Sequence, residues 1–509
     1  MSQAPSPQAR PSRSLFRTKS IEQTIADAAE PGRELKRSLT AWDLMILGVA
    51  VAVGAGIFSV GARAAGSFAG PAVSVSFLLA ALACALAIMC YAEFASSIPV
   101  AGSAYTYTYA TLGEFIAWII GWDLILELLT AGAVIAKYWG IYLAMVFELF
   151  DVHIPTTIDV LGIGVDWGPL FIVGVFTALL IMGTKMSARV NNVFTVIKVG
   201  IVVFVIVVGL TYFNAENLTP FVPPAMPTDG GAADAWSQSL LSWMTGAEPA
   251  RYGIAGVLSG AALVFFAFIG FDVVATSAEE VKDPQRTLPL GIFGGLALVT
   301  LLYIGVAFAL TGMVPYTLLA EAENPSLATA FVAVGAGWAA QVISVGILVG
   351  LTTVIMVLLM GLSRVLLAMS RDGLLPRWLS VTSETRKTPV RLQIITGAAV
   401  ALLAGFTRVE ILEEMINIGT LSAFVLVSIA VVVLRRRRPD LPRAYRVPFS
   451  PVLPIVSALL CFYLMLNLTT LTWVRFAVWL AVGTAIYFAY GRRHARVGLA
   501  GPGGGVDPR

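Results

Sequence analysis

The sequence predicts an all-α membrane protein of twelve transmembrane helices: two inverted five-helix repeats, then two extra C-terminal helices. Three observations carry this. Charge is sparse: 12% of the 509 residues are Asp, Glu, Lys or Arg, against about 25% in soluble domains, and mean hydropathy is +0.85. Twelve apolar segments can be counted, near 41–65, 70–97, 113–148, 168–184, 190–212, 254–280, 288–314, 327–370, 391–406, 410–434, 451–471 and 474–491. With the N-terminus inside and the sides alternating, 27 of the 33 Lys and Arg residues fall inside and four outside, with Lys137 and Lys198 within spans. That is the bias expected of cytoplasmic loops. It supports both the count and cytoplasmic ends.

The first forty residues are polar and read as a disordered cytoplasmic tail. They hold no apolar core with a small-residue cleavage site. The first repeat is expected over 41–212, an extracellular loop over 213–253 and the second repeat over 254–434. The two extra helices follow over 435–491, and a second tail over 492–509. The third and eighth segments are too long for a bilayer and must tilt, kink or extend into water. The outer loop carries an amphipathic piece around Trp236 to Met244.

The composition also excludes. Cys84, Cys90 and Cys461 lie in apolar segments and read as packing residues. No metal spacing and no cofactor motif is present, and the two histidines lie in a loop and a tail. A net charge of +3 with the basic residues in loops gives no reason to expect nucleic acid. No His, Ser or Cys constellation in the spans points to an enzyme.

The first segment is interrupted at Val53-Gly54-Ala55-Gly56-Ile57. Its 25 residues would reach roughly 37 Å as a helix. Two glycines weaken that helix by about 1 kcal/mol each. Broken backbone in lipid is tolerated only where protein or a cavity satisfies it. The competing reading is close packing through small residues. Five segments later, Phe265-Phe266-Ala267-Phe268-Ile269-Gly270-Phe271-Asp272 repeats the interruption. Interrupted helices at matching places in two halves point to a transporter binding site, and an offset of five makes the repeats inverted. Half-helix N-termini suit a carboxylate and C-termini an ammonium group. Gly54, Ala55, Gly56 and Ile57 can offer N–H groups, and Phe266, Ala267 and Ile269 carbonyls. Phe265, Phe266 and Phe268 can wall a pocket or face lipid. Asp272 can order the second break.

Ionisable residues within spans default to functional candidates. Lys198 can load and lose a proton, or snorkel to the inner face with Lys185 and Arg189. Asp123 and Glu127 share a helix face. Either can approach the pocket, or one can pair with Lys137. Glu93 and Asp43 lie near span ends and read as topological or gating residues.

The chain resembles the amino acid–polyamine–organocation superfamily, in particular its cationic amino acid transporter branch. Four passages carry the likeness: Gly54-Ala55-Gly56-Ile57-Phe58; Phe265 to Asp272 with Ala278 to Pro289; Ala368-Met369-Ser370-Arg371-Asp372-Gly373-Leu374-Leu375-Pro376; and Pro442-Arg443-Ala444-Tyr445-Arg446-Val447-Pro448. It covers roughly residues 35 to 490. The resemblance implies a LeuT-type fold and proton-coupled amino acid import across the plasma membrane by alternating access. Its partners would be an amino acid, protons and lipid, and the protein a monomer or weak oligomer. The alternatives are an amino acid or polyamine exchanger, a transport-dead nutrient sensor, or a channel. In proton-coupled members a lysine on span five stands where sodium-coupled relatives bind a sodium ion. Lys198 matches that position, and the resemblance gives it the proton-coupling role. It likewise makes Glu127 the candidate to meet a basic substrate side chain. Ala55 departs from the commoner Thr or Ser, which bears on selectivity. The substrate is left as a cationic or a small neutral amino acid.

Overall fold

The computed structural model describes residues 17–18, 39–97, 104–148, 151–160, 162–183, 188–227, 236–246, 250–270, 274, 281, 284–322, 324–381, 383, 388–441, 443 and 445–495. Expectations for Asp272, for most of both tails and for most of the second broken helix beyond Gly270 lie outside these residues.

Helices dominate. In chain order the principal ones are α1 (Ala41–Ala52), α2 (Val73–Ser97), α3 (Ala104–Thr111), α4 (Glu114–Glu148) and α5 (Trp167–Ile181). Then come α6 (Ala188–Thr211), α7 (Gly253–Val264), α8 (Pro284–Met313), α9 (Tyr316–Glu321) and α10 (Leu327–Ala333). The last are α11 (Gly337–Arg371), α12 (Val390–Phe406), α13 (Val409–Arg437), α14 (Val452–Leu466) and α15 (Thr470–Ile486). Strands β1 (Thr157–Val160) and β2 (Ile163–Asp166) pair antiparallel between α4 and α5. Among the described residues, 7 helical runs are long and apolar enough to cross a membrane, and five more apolar helices are 10–17 residues long.

Local chemistry sets the boundaries. Thr40 caps α1 through a capping box: its hydroxyl accepts from Asp43 N–H, and the Asp43 carboxylate accepts from Thr40 N–H. Asp43 is therefore a capping residue. Pro284 opens α8 at a place where a missing N–H costs nothing. The long eighth apolar segment is two helices. Gly335, at φ +77°, turns the chain between α10 and α11. The third stays whole as α4, 35 residues or roughly 52 Å. The amphipathic piece expected around Trp236 to Met244 includes a short helix, Leu240–Thr245.

Two groups of helices emerge from the packing. In one, α8 lies against α1 and α2, and α7 lies against α2. In the other, α4 packs on α11 and α13, and α5 on α12. Helix α6 bridges them, touching α1, α8 and α11. All three cysteines are buried and none is in a disulfide.

Candidate functional site

The first break falls where the glycines predict. Helix α1 stops at Val53, which turns to extended backbone (φ −72°, ψ 93°) after its N–H closes the last helical bond on Val49 O. Helical winding resumes and continues through Gly56–Ala69. The first turn of this second half has N–H groups with no acceptor within it. Gly54, Ala55, Gly56 and Ile57 supply them.

The second break follows α7. The chain tightens to a 3-10 turn over Phe265–Phe268, then Ile269 becomes extended (φ −67°, ψ 139°) and Gly270 takes φ +106°. Phe265, Phe266 and Phe268 are all buried. The lipid-facing reading of these aromatics is thereby overturned. They pack inward because the break lies in the protein interior.

The two breaks touch. A Cβ added at Gly56 would lie 2.5 Å from Ala267 Cα, and one at Gly270 would lie 2.2 Å from Val51 Cγ1. Gly54 is different: its added Cβ would meet only Ile135 Cδ1 at 3.9 Å and Ala52 O at 4.0 Å. Val53, Gly54, Ala55, Gly56, Ile57, Phe266, Ala267, Phe268 and Ile269 therefore gather at one crossing.

Carbonyls left at the ends of half-helices need donors. At the end of α1, Lys198 Nζ donates to Ala50 O (2.8 Å) and the Tyr303 hydroxyl to Ala52 O (2.6 Å). At the end of α7, Asn417 Nδ2 donates to Leu263 O (3.2 Å) and Ile269 N–H to Phe266 O (3.2 Å). Tyr303 also reaches Ala267 O (2.9 Å). The carbonyls of Phe266 and Ala267, expected to face an ammonium group, thus have protein donors in this state.

Lys198 is 2% exposed and points at a helix C-terminus, where positive charge is favoured. Snorkelling does not describe it. A small cavity of about 20 Å³, lined by Leu47, Ala50, Val51, Thr353, Val354 and Val357, lies beside its acceptor.

Glu127 and Asp123 are buried on the α4 face toward Gly419 of α13, and Ser422 donates to Asp123. Lys137 pairs with neither. Its partner is Asp166 at the end of β2, because α4 carries it past the core to the hairpin.

On the other side of the break from α1, Arg63 and Glu413 form an ion pair, and the Tyr138 hydroxyl donates to Glu413 (2.5 Å). A cleft of about 40 Å³ adjoins them, lined in part by Ser59, Tyr142, Asn324, Ser326 and Glu410. Far away, at the other end of α2, Glu93 is fully buried. It accepts from Arg435 Nε (2.7 Å), Arg435 Nη2 (2.5 Å) and Val447 N–H (2.8 Å).

Sequence reasoning missed Tyr303, Asn417 and the Arg63–Glu413 pair. A signal existed for two of them. Glu413 and Asn417 are four apart in an apolar helix, hence on one face. Among the described residues no group of three or more His, Cys, Asp or Glu is placed to hold a metal ion.

A family model described as "Amino acid permease" matches residues 39–489. The chain belongs to the amino acid permease family. This permease is 42% identical over 487 residues to the methylthioribose transporter of Bacillus subtilis (strain 168), covering 95% of this chain and 99% of that one. It is also 42% identical over 491 residues to the branched-chain amino acid permease BcaP of the same organism, with 95% and 99% covered. Cationic amino acid transporter 3, mitochondrial, of Arabidopsis thaliana is 32% identical over 605 residues, with 95% of each chain covered. The permease is thus a multi-pass membrane transport protein of all-α class, and not an enzyme.

Proposed function

We propose that this permease imports an amino acid together with a proton across the plasma membrane, by alternating access around the two helix breaks. The observation that carries the reading is the crossing itself. Two half-helix ends meet there, and a buried lysine from α6 holds one of them through Ala50 O. N–H groups on one side and carbonyls on the other suit the two ends of a zwitterion.

Twelve spans follow if the five shorter apolar helices also cross. Spans one to seven are then α1 with its continuation, α2, α4, α5, α6, α7 and α8. Spans eight to twelve are α11 to α15. Exchanging each of the first ten spans with the one five places away maps the packing onto itself. The pair one–seven becomes six–two, and five–eight becomes ten–three. The pair three–four becomes eight–nine. The pairs two–seven, three–eight and four–nine are unchanged. Two related five-span repeats would pack in this way, and an odd number of spans in each would make them inverted. Spans one, two, six and seven are the rocking group; three, four, eight and nine are the frame. Both termini are cytoplasmic, so the Arg63–Glu413 pair lies on the outer side and closes it. The cavity beside Ala50 lies toward the inside.

In the cycle, Lys198 holds Ala50 O more tightly when protonated than when neutral, which couples α1 to α6 in a proton-dependent way. Glu127 lies on the α13 side of the site and is the candidate contact for a basic substrate side chain. The two Bacillus relatives share the same identity with this chain yet bear names for different substrates. The methylthioribose transporter therefore favours a second substrate reading, a neutral thioether sugar. A thermal-shift panel of the twenty amino acids and methylthioribose separates the two, since a ligand of the folded state raises its melting point. Proteoliposomes with an alkaline interior and no sodium test the coupling. Uptake that ignores the pH gradient refutes it, and counterflow without a gradient would mark an exchanger.

A further inference from the structure

We propose that Tyr303 is a positioning residue that joins the two helix breaks, its hydroxyl filling the place between Ala52 O and Ala267 O that a monovalent cation would otherwise occupy. The inference deepens the proposed transport reading and rests on it for its bearing on substrate.

The two carbonyls come from two different half-helix C-terminal ends, both of negative partial charge. They are buried: Ala52 is 4% exposed, Ala267 1% and Tyr303 0%. The hydroxyl oxygen is 2.6 Å from one and 2.9 Å from the other. A phenol has a single proton to donate, so one proton is shared by two acceptors of like sign. Water, a small cation or an ammonium group could also satisfy both. The ring is held as well. It packs edge-on against Phe268 of the second break (centroids 5.2 Å) and tilted against Phe77 of α2 (5.6 Å). The hydroxyl therefore cannot swing away without moving that cluster.

One phenol thus ties together the end of α1, the break after α7, and helices α2 and α8. These are the four elements assigned to the rocking group. The last carbonyls of α1 are divided between two masters: Ala50 O is held from α6 by an amine, and Ala52 O from α8 by a phenol. The phenol is the link that no proton gradient breaks. It leaves the crossing without need of an alkali cation at this point.

The test is Tyr303→Phe, which keeps the ring and removes the donor. Its first readout needs no transport: melting temperature in choline chloride against sodium or potassium chloride. The variant should melt lower than the parent in choline and recover with an alkali ion, while the parent is indifferent. The second readout is uptake, where KM should rise about tenfold in choline, as expected for orphaned buried carbonyls, and fall again with the alkali ion. Phe77→Leu is the control, since it loosens the same aromatic cluster but keeps the hydroxyl, and should show no ion response. Where Tyr303→Phe does not fold, 4-aminophenylalanine at 303 restores an N–H donor and should restore folding without added ion. A Tyr303→Phe protein with unchanged melting, or one whose melting ignores alkali ions, overturns the proposal. So does failure of the amino variant to fold. Absence of saturable uptake by the parent protein would instead overturn the transport reading and leave the melting test standing.

Discussion

Arg63, beyond the first break, and Glu413, on α13, form an ion pair that joins the two helix groups at one end of the molecule. The Glu413 side chain is fully buried and the Arg63 side chain is 17% exposed. In the proposed cycle such a pair would hold this end closed, chiefly because breaking it strands a charge. Removing one partner of a buried pair costs about 3–5 kcal/mol. We expect Glu413→Gln to favour opening at this end. The measurement is labelling of Ser59→Cys by a membrane-impermeant maleimide, the native cysteines being buried. Labelling should be faster in the Glu413→Gln background. Equal rates would mean that the pair does not close this side.

Gly54 and Gly56 separate into two roles. At Gly56 an added Cβ would sit 2.5 Å from Ala267 Cα, a backbone atom that cannot step aside. At Gly54 it would find ordinary contact at 3.9 Å. Gly56→Ala should therefore push the breaks apart and abolish both ligand-induced thermal shift and uptake. Gly54→Ala should fold and melt like the parent. Gly54→Leu should fold too yet lose substrate binding, because it fills the space beside the break. Parallel losses of melting temperature in all three variants would refute this division.

The breaks were legible because glycine interrupts a helix locally, so a run such as Val53 to Ile57 carries its own signal. Lys198 was legible for a similar reason, as a lone charge in an apolar run. What capped the freed carbonyls was not legible. Tyr303 and Asn417 look unremarkable in sequence, and their importance depends on which helices become neighbours. The same holds for Lys137, whose partner Asp166 arrives through a hairpin with no membrane signature. The turn at Gly335 was hidden because the residues on either side are as apolar as a continuous span.

Glu93 was expected to act near a span end, and its surroundings specify how. Arg435 grips its carboxylate with two N–H groups, Val447 N–H adds a third, and Arg443 stands 3.4 Å away. The cluster fastens α2 to α13 and to the chain entering α14. Glu93→Gln keeps the shape but loses the charge that two guanidinium groups share. Because the Arg435 side chain is 26% exposed, the cost should fall below the fully buried range, at roughly 2 kcal/mol. A lower melting temperature, largely recovered at Glu93→Asp, is the expected result. An unchanged melting point would show that the backbone N–H bond alone suffices.

Lys198 gives the sharpest test of coupling because its acceptor among the described residues is a helix-end carbonyl rather than a carboxylate. A lysine paired with a carboxylate would be held charged by its partner. A carbonyl accepts from either form of the amine and more tightly from the charged one, so the link between α6 and α1 strengthens and loosens as the proton comes and goes. Lys198→Ala removes the donor and leaves Ala50 O facing the adjacent cavity, where water can reach it. Binding should survive, since no atom of the crossing is lost. Uptake driven by an alkaline interior should vanish, while exchange of labelled for unlabelled substrate continues. Measuring both in the same proteoliposomes decides the matter. If the pH-driven component persists in Lys198→Ala at its parental size, the lysine is a structural cap on α1 and the coupling proton resides elsewhere.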